Sequence, residues 1–271
     1  METRKLGTVS LCFFENLLNE GGVKHFVTTR MGRRAYPHRD DLNLSFNTGD
    51  SAAKILKNRK RLSQALNIPL GWITTGKQVH GHSVRILSRS DRGKGAWSYA
   101  GALEATDALV TDLPGICPMV LAADCVPMLM YDPVKRVIAA VHAGWRGTLD
   151  LIGRRTVEVF EKDFGSSPGD IIAGIGPSIG PCCYYVGSEV ITRAEAAFGS
   201  ETGCTSSVSS KGGYLDLWKA NHDQLLQAGL ASRHIEIAGI CTAHPDNGFF
   251  SYRKEGNRAG RFGAGIYLNE T

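Results

Sequence analysis

The sequence predicts one α+β domain in which mixed β-sheets are flanked by helices. Its 271 residues are 42% hydrophobic and 21% charged, which is the length and the balance of a soluble chain that buries one large core. Segments with strand-like and helix-like patterns follow one another without a regular alternation, and this mixture is typical of the α+β class. Because we find no internal repeat and no long linker, residues 1–271 are predicted to form a single domain.

Charge, hydropathy and cysteine usage exclude several functional classes. The net charge is +5, and the basic residues are scattered without the interleaved aromatic residues of a nucleic-acid surface. The most apolar stretch, residues 115–131, is interrupted by Asp124 and two prolines, so no membrane span is predicted. The amino-terminal segment has no small-residue cleavage site of a signal peptide, and the seven cysteines are an odd number. We therefore expect a cytoplasmic protein whose thiols are reduced.

Helices and strands are predicted from the spacing of apolar residues and from capping and turn residues. Asp50 and Ser51 cap the first predicted helix, and Gly165 ends the second. The predicted helices cover residues 52–66, 145–164, 189–198 and 216–230. The predicted strands cover residues 24–29, 79–87, 108–111, 118–123, 126–131, 137–142, 171–175, 235–241 and 265–268.

Two apolar strands predict a hairpin that brings a thiol close to an imidazole. The segment 132–135 begins with the Asp-Pro dipeptide that is typical of a turn. If Tyr131 pairs with Arg136, the same register places Cys125 opposite His142, with their Cβ atoms about 5 Å apart. One metal ion could then be bound by the thiolate and the imidazole together.

A third ligand is available from the segment Gln78-Val-His80-Gly81-His82. In a strand, His80 and His82 would point to the same face, and Gly81 would let another backbone segment approach closely. One cysteine and two histidines with an open position are typical of catalytic zinc, which lowers the pKa of bound water to about 7 and polarises a substrate oxygen. The same set suits copper. The competing interpretation is that Cys125 and His142 are buried core residues that bind no metal. Because the register is inferred, the metal site and the metal-free core both stay open.

The segment after His142, Ala-Gly-Trp-Arg146-Gly147, predicts an anion site. A glycine-containing turn that opens a helix directs free backbone N–H groups outward, and Arg146 adds positive charge. Phosphate is a ligand that such a turn would suit.

Another motif, Gly176-Pro-Ser178-Ile-Gly180, fits the nucleophile elbow of serine hydrolases and follows a predicted strand. Asp223 and His244 then complete the chain order Ser, Asp, His. The pattern is short, and turns rich in Gly and Pro produce it often, so a serine hydrolase stands as an alternative to the metal site.

Six motifs follow one another in order between residues 78 and 253. They are Gln78-Val-His80-Gly81, Thr106-Asp-Ala-Leu-Val-Thr-Asp112, Ala123-Asp-Cys125-Val-Pro127, Val141-His-Ala-Gly-Trp-Arg-Gly147, Gly176-Pro-Ser-Ile-Gly-Pro-Cys182-Cys183-Tyr184 and Ser251-Tyr-Arg253. Together they resemble the YfiH family, whose members have been called laccase-type polyphenol oxidases, purine nucleoside phosphorylases and peptidoglycan editing factors. The resemblance implies a single α/β sandwich domain.

The resemblance also implies roles for individual residues. His80, Cys125 and His142 fall on the zinc-binding positions of the family, so they are expected to be both the metal ligands and the catalytic set. His82 falls on a variable position and is expected beside the substrate or behind the ligands. Membership of the motifs suggests the supporting residues: Asp124 or Asp107 as acid or base, Gln78, Arg59 and Arg253 for positioning the substrate, and Arg146 for phosphate. Ser178 would lie in a turn near the site, which removes most of its support as a nucleophile.

The activities within the family differ, and the residues favour one of them. A multicopper laccase needs many histidines, whereas this chain has eight that are spread out and no His-Cys-His run. We therefore predict a zinc-dependent enzyme that cleaves purine nucleosides such as adenosine, inosine or methylthioadenosine with phosphate, and that deaminates adenosine as a second activity.

Several alternatives stay open. They are an amidohydrolase that edits peptidoglycan precursors, a copper-dependent polyphenol oxidase, a non-enzymatic metal binder, and an enzyme with Cys125 as nucleophile and His142 as base. The expected partners are small molecules, with no nucleic acid and no membrane, and the expected state is a monomer.

Overall fold

Two six-stranded β-sheets pack face to face in the computed structural model, which describes residues 1–30 and 41–269. The described strands are β1 (Glu2–Leu6), β2 (Val9–Phe13), β3 (Val23–Thr28), β4 (Ile73–Thr74), β5 (Val84–Ile86), β6 (Ala108–Thr111), β7 (Cys117–Ala122), β8 (Val126–Asp132), β9 (Val137–Ala143), β10 (Ile172–Ile175), β11 (Tyr185–Gly187), β12 (Thr205–Ser209), β13 (Gly212–Leu215), β14 (Ile235–Ile237) and β15 (Phe262–Leu268). The described α-helices are α1 (Glu15–Leu18), α2 (Ala52–Leu66), α3 (Trp145–Leu149), α4 (Ile152–Phe164), α5 (Ser188–Phe198), α6 (Leu217–Gln227) and α7 (Tyr252–Glu255).

Each large sheet combines antiparallel and parallel pairs. The first has the order β1-β2-β3-β15-β7-β4, with β4 and β7 parallel. The second has the order β14-β10-β8-β9-β6-β5, with parallel pairs at both edges. A small third sheet has the order β11-β13-β12. The predicted mixed sheets of the α+β class are therefore confirmed.

Three large apolar cores separate the layers that residues 1–30 and 41–269 form. Val120 of the first sheet and Leu129 of the second belong to the core between the two sheets. Phe160 of α4 and Leu225 of α6 belong to the core on the outer face of the second sheet. Leu62 of α2 belongs to the core on the outer face of the first sheet. This order of helix, sheet, sheet and helices confirms the predicted sandwich.

The hairpin of β8 and β9 lies in the middle of the second sheet and is buried on both faces. Met128 and Met130 contact the helix-side core, whereas Leu129 and Tyr131 contact the core between the sheets. Burial on both faces explains why these strands are nearly continuous apolar runs in the sequence. The hairpin is therefore a rigid support for residues at its open end.

Several predicted elements are confirmed, and others differ. Helix α2 has the predicted bounds, and the Ser51 side chain caps it by accepting from the Lys54 N–H. The helix predicted over 145–164 is divided because Leu151 adopts a left-handed φ of 61°. Strand β1 is not predicted because its mostly exposed residues show no alternation of apolar side chains. No helix in residues 1–30 and 41–269 has the length and apolarity that crossing a bilayer requires.

The predicted register of the β8–β9 hairpin is wrong by two residues. His142 pairs with Pro127, whereas Cys125, its predicted partner, lies just before β8. The turn has the predicted four residues but lies one residue further along the chain, at 133–136. Asp132 Oδ1 accepts hydrogen bonds from two N–H groups of the turn, and Arg136 closes it with a left-handed φ of 57°. A shift of two residues keeps each side chain on its predicted face, so the thiol and the imidazole still approach each other.

The strand predicted over residues 79–87 is confined to β5, and an irregular loop precedes it. Three successive N–H groups of this loop, from Val79 to Gly81, donate to the carboxylate of Asp107. In a strand these groups would alternate in direction, so the prediction that His80 and His82 share one strand face is wrong.

Candidate active site

Three segments bring one cysteine and two histidines together at one end of the second sheet. Cys125 precedes β8, His142 lies near the end of β9, and His80 belongs to the loop before β5. Their ligand atoms all lie within 4.8 Å of one another, and the two imidazole rings meet edge to face with centroids 4.9 Å apart. His142 is buried and His80 is exposed, so solvent reaches this His80–Cys125–His142 cluster from one side.

Unusual backbone conformations place these side chains. His80 and Asp124 have positive φ angles of 59° and 84°. Such angles are uncommon for residues with a Cβ atom and cost about 1 kcal/mol or more each. Gly144 leaves the space that the cluster needs, because a Cβ atom there would lie 2.9 Å from Cδ2 of His80 and 3.2 Å from Sγ of Cys125. Any larger residue at position 144 would therefore displace the cluster.

Asp107 supports two residues of the cluster from behind, His142 through its side chain and His80 through its backbone. Its buried carboxylate accepts hydrogen bonds from Nδ1 of His142 at 2.9 Å, from the N–H of His80 at 3.1 Å and from the N–H of Gly81 at 2.9 Å. Burial raises the pKa of Asp107, but these hydrogen bonds and the charge of His142 outweigh it and hold the pKa below its usual range. Because an ionised carboxylate only accepts, Nδ1 of His142 carries the proton and Nε2 is left for a cation.

The Cys125 thiol ionises readily in this environment. Burial alone would raise its pKa, but the positive charge and the hydrogen bonds of His142 and His80 lower it to about 6. Burial lowers the pKa of His142, but the Cys125 thiolate and the Asp107 carboxylate outweigh it and raise the pKa to about 9. The protein's own groups thus favour a thiolate, which is the form that binds metal ions or attacks electrophiles.

The donor set of the cluster fits a metal ion that keeps one coordination position open. One thiolate and two imidazoles are typical of catalytic zinc, whereas structural zinc is held by four protein ligands. Copper accepts the same donors. His80, Cys125 and His142 could therefore hold either metal and leave a position that faces the adjoining cavity.

That cavity has a volume of about 580 Å³, and all three side chains of the cluster line it. Small-molecule sites have volumes in this range. Among the described residues, the arginines and aromatic residues of the wall are Arg59, Arg146, Arg253, Arg261, Phe46, Tyr99, Trp145, Tyr184 and Tyr252. Guanidinium groups suit phosphate, and aromatic rings suit a flat heterocycle.

Asp124, a predicted acid or base that would also contact the substrate, and Gln78, predicted to position the substrate, have their polar atoms engaged within the protein. Oδ1 of Asp124 accepts a hydrogen bond from Oγ1 of Thr242, and Oδ2 accepts one from the N–H of Arg253, both at 2.6 Å. The amide of Gln78 donates to the carbonyl of Leu121 at 2.7 Å and accepts from its N–H at 2.8 Å. Both side chains line the cavity and join separate segments of its wall.

Arg59 and Arg146 differ in exposure. Arg59 is buried and donates to the carbonyl of Leu44 at 2.8 Å, and burial lowers its pKa to about 9. Arg146 is exposed, and its guanidinium stacks over the ring of Trp145 at 4.4 Å. Helix α3 has only five residues, so positive charge near phosphate would come from the arginines instead of a long helix.

Arg253 and His82 are both exposed. Nη1 of Arg253 donates to the carbonyls of Cys183 at 3.3 Å and Tyr185 at 3.1 Å. Nδ1 of His82 contacts Oδ2 of Asp150 at 3.3 Å, and His82 lies outside the group of possible metal ligands. Arg253 can therefore reach the cavity, whereas His82 belongs to a separate surface contact.

The geometry contradicts the serine-hydrolase hypothesis. The hydroxyl of Ser178 is buried, donates to the carbonyl of Gly176 at 3.2 Å and accepts from Nε1 of Trp218 at 2.6 Å. Nε2 of His244, the predicted base, contacts Sγ of Cys182 at 3.4 Å. Ser178 therefore has no access to a substrate and no base beside it.

A second group of possible ligands is a feature that the sequence motifs did not predict. The ligand atoms of Cys182, Cys183, Cys241 and His244 all lie within 4.8 Å of one another. The available signal was the adjacent cysteine pair together with the Cys-x-x-His spacing of Cys241-Thr-Ala-His244. Tyr99 and Arg261 were missed as cavity residues because no local pattern marks them.

Known proteins resemble this chain in sequence and in structure. The family described as multi-copper polyphenol oxidoreductase laccase matches residues 24–269. A Bacillus subtilis (strain 168) protein named purine nucleoside phosphorylase YlmD is 35% identical over 255 residues, which are 94% of this chain and 91% of that protein. A protein named adenosine deaminase RL5, from an unknown prokaryotic organism, is 34% identical over 250 residues, which are 91% of this chain and 94% of that protein.

The fold has a close counterpart among solved structures. The crystal structure of the Bacillus licheniformis hypothetical protein YfiH matches with a TM-score of 0.90 and 32% identity, covering 98% of this chain and 99% of that one. The chain therefore belongs to the family described as multi-copper polyphenol oxidoreductase laccase, which includes the YfiH proteins.

Proposed function

We propose that this protein is a purine nucleoside phosphorylase that depends on zinc bound by His80, Cys125 and His142, with deamination of adenosine as a second activity. The observation that carries the proposal is one cavity that combines this cluster with arginines and aromatic rings. A nucleoside phosphorylase must bind a flat base, a ribose and a phosphate together, and each needs a different kind of surface. The names of the relatives support the same class of substrate.

Arg146 and Arg253 are our candidates for phosphate binding. Both are exposed and line the cavity. Stacking on Trp145 orients the guanidinium of Arg146 and leaves its N–H groups in the plane available to phosphate oxygens. Arg253 donates two hydrogen bonds to backbone carbonyls through Nη1, and its other N–H groups remain for the ligand.

Aromatic residues of the wall are our candidates for binding the purine. Tyr99 and Tyr252 are 40% and 49% exposed, so a base could stack on their rings without displacing core residues. Burial raises the pKa of the Tyr184 hydroxyl further above neutral pH, so this hydroxyl stays protonated. Its hydroxyl could therefore donate a hydrogen bond to a nitrogen of the base or to the ribose.

Phosphorolysis forms a bond between a phosphate oxygen and C1′ of the ribose while the bond from C1′ to the purine nitrogen breaks. The base leaves with the electron pair and takes up a proton. A zinc ion in the cluster would supply Lewis-acid polarisation of a substrate oxygen. Asp107 orients His80 and His142, and Asp124 anchors the backbone of Arg253. We therefore assign both carboxylates to positioning instead of proton transfer.

The test is adenosine turnover with and without phosphate, on protein purified without added metal and analysed for metal content. We expect bound zinc, phosphate-dependent release of adenine and ribose 1-phosphate, and slower formation of inosine without phosphate. Chelation should abolish both reactions, and zinc should restore them. Turnover that survives chelation would contradict the zinc mechanism and favour Cys125 as a thiol nucleophile.

The family description and the copper-compatible donors favour a second candidate, a polyphenol oxidase. Copper-loaded protein should then oxidise a phenol with oxygen faster than it cleaves adenosine. A muropeptide with a wrong amino acid tests the amidohydrolase alternative in the same preparation. Bound metal without turnover of any of these substrates would favour a non-enzymatic metal binder.

A further inference from the structure

A second cluster of sulfur and nitrogen ligands lies outside the set of residues that line the cavity. Cys182 and Cys183 follow Gly180 in a turn, and Cys241 and His244 belong to a segment beside it. The four ligand atoms lie within 4.8 Å of one another, and Sγ of Cys182 is 3.4 Å from Nε2 of His244. In tetrahedral zinc with bonds of about 2.3 Å to sulfur, the ligand atoms would be about 3.7 Å apart. Small rotations of the side chains would therefore close the cluster around one ion.

We propose that Cys182, Cys183, Cys241 and His244 form a second, structural zinc site. Three cysteines and one histidine that enclose an ion completely are a ligand set of structural zinc. The His80–Cys125–His142 cluster differs because it has fewer sulfur ligands and faces the cavity.

The backbone around Cys241 supports a thiolate at this position. The N–H of Gly180 donates to Sγ of Cys241 at 3.2 Å. Hydrogen bonds from N–H groups to sulfur ligands orient them and stabilise their charge. The carbonyl of Cys241 accepts from the N–H of His244 at 3.3 Å and from the side chain of Asn247, so both ligands of this segment are held in place.

Neighbouring cations offset the charge of the loaded site. A Zn²⁺ ion with three thiolates and one neutral imidazole carries a net charge of −1. Lys254 interacts electrostatically with Cys183, and Arg253 donates to the Cys183 carbonyl at 3.3 Å. Two positive charges thus lie next to a negative metal site, which favours its formation.

The proposed zinc ion would join two segments that shape the active site. The N–H of Ser178 donates to the carbonyl of Ile240 at 3.2 Å, and the N–H of Thr242 donates to the carbonyl of Ser178 at 3.0 Å. Beyond this bridge, Thr242 holds Asp124, and the cysteine turn accepts from Arg253. A metal link at this point would fix both cavity residues and add stability to the fold.

The experiment measures zinc per chain in full-length protein purified without added metal. The double variant Cys125→Ala/His142→Ala removes the first cluster, and we expect it to retain one zinc ion per chain. Adding Cys182→Ala and His244→Ala, both at exposed positions, should remove that ion. Cys204→Ala is the matched control, since Cys204 lies outside both clusters, and it should leave the zinc content unchanged.

Cobalt substitution provides a readout that does not depend on activity. The double variant loaded with Co²⁺ should show the visible bands of a tetrahedral site and a sulfur-to-metal charge-transfer band of three thiolates. Zinc should also protect Cys182 and Cys183 from alkylation in the otherwise unchanged protein, and a chelator should remove the protection. Because the alkylation experiment uses the unchanged protein, its result does not depend on whether a variant folds.

Two results would overturn the proposal. One is a double variant that folds but binds no zinc and leaves Cys182 and Cys183 equally reactive with and without a chelator. The other is a disulfide between any two of the three cysteines, found by mass spectrometry after purification under reducing conditions. Unchanged protein that binds zinc at the second cluster but none at the first cluster would contradict the proposed function. It would leave the proposal for the second site intact.

Discussion

The two clusters of cysteine and histidine use the same residue types in opposite proportions. In the cavity, one thiol lies beside two imidazoles, and their positive charge lowers the pKa of Cys125 to about 6 despite burial. In the second cluster three thiols lie beside one imidazole, and burial together with the neighbouring thiols raises the pKa of Cys182 to about 12. The protein itself activates the first thiol, whereas the raised pKa values of Cys182 and Cys183 keep these thiols protonated until a cation binds.

The surroundings of the two clusters also differ, and they too indicate a reactive first cluster and a supporting second one. Asp107 lies behind the first cluster, hydrogen-bonded to His142 and to the backbone of His80. Such a carboxylate sets the tautomer and the orientation of a ligand and leaves the front of the site free. The second cluster lies between the turn of Cys182 and Cys183 and the segment of Cys241 and His244, which backbone hydrogen bonds join. The neighbours of a ligand set, more than its residue types, therefore distinguish a reactive site from a supporting one.

The largest effect that would sharpen this comparison is expected from Cys125→Ala. It removes the sulfur ligand of the first cluster, and we expect phosphorolysis and deamination to fall about 1,000-fold or more. The fold should persist, because Cys125 is only partly buried and contributes little to the core. Steady-state kinetics and the melting temperature of the variant measure both effects. A variant with the full rate would end the proposal for this cluster.

The next effect is expected from Asp107→Asn. Oδ1 of Asp107 accepts from His142 and His80, and Oδ2 accepts from Gly81 and Val79. An asparagine must place its NH₂ group against one of these pairs of donors, so we expect zinc affinity at the first cluster to fall about 10- to 100-fold. Competition with a chelating dye measures this affinity.

Asp150→Asn is the matched control for that variant. Asp150 contacts the exposed His82 and not the cluster. It should leave the affinity unchanged. If Asp107→Asn and Asp150→Asn bind zinc equally well, the hydrogen bonds of Asp107 do not contribute to the zinc affinity of the first cluster.

A smaller effect on activity, but a clear effect on stability, is expected from Cys183→Ala. Loss of a ligand from the second cluster should lower the free energy of unfolding by about 2 kcal/mol, which corresponds to about 4–8 °C in melting temperature. The rate should fall less than tenfold, because the substitution acts through Arg253 and Asp124. Thermal unfolding with and without a chelator measures the effect, with Cys204→Ala as control. A chelator that leaves the melting temperature of Cys125→Ala/His142→Ala unchanged would contradict the structural role.

The first cluster could be predicted from sequence because its residues are tied to strongly patterned elements. Cys125 and His142 flank the β8–β9 hairpin, whose apolar strands and Asp-Pro turn are local signals. The predicted register is wrong by two residues because the turn lies one residue further along the chain, and the left-handed φ of Arg136 that closes it has no sequence signature there. A register error of two residues leaves every side chain on its predicted face of the sheet, so the sequence still predicts that Cys125 and His142 lie close together.

The loop before β5 and the second cluster depend on contacts between distant segments. The Asp107 carboxylate, 27 positions from His80, organises the loop, and no periodicity in the sequence reports this contact. Cys182 and His244 are 62 positions apart and meet through backbone bridges. A Cys-x-x-His spacing was present, but only the fold shows that it faces the cysteine pair.

The smallest effect is expected from His82→Ala, and it tests where the first cluster ends. His82 is two positions from His80, is exposed, and contacts Oδ2 of Asp150 at 3.3 Å. Exposed pairs of this kind contribute less than about 1 kcal/mol, and His82 lies outside the group of possible ligands. We therefore expect less than a twofold change in rate and one zinc ion retained in the first cluster. The comparison variant His80→Ala should lose both its activity and this zinc ion. A tenfold loss of rate in His82→Ala together with loss of zinc would show that the ligand set extends along the loop. The first cluster would then have four ligands, as the second cluster does, and the number of ligands would no longer distinguish the two sites.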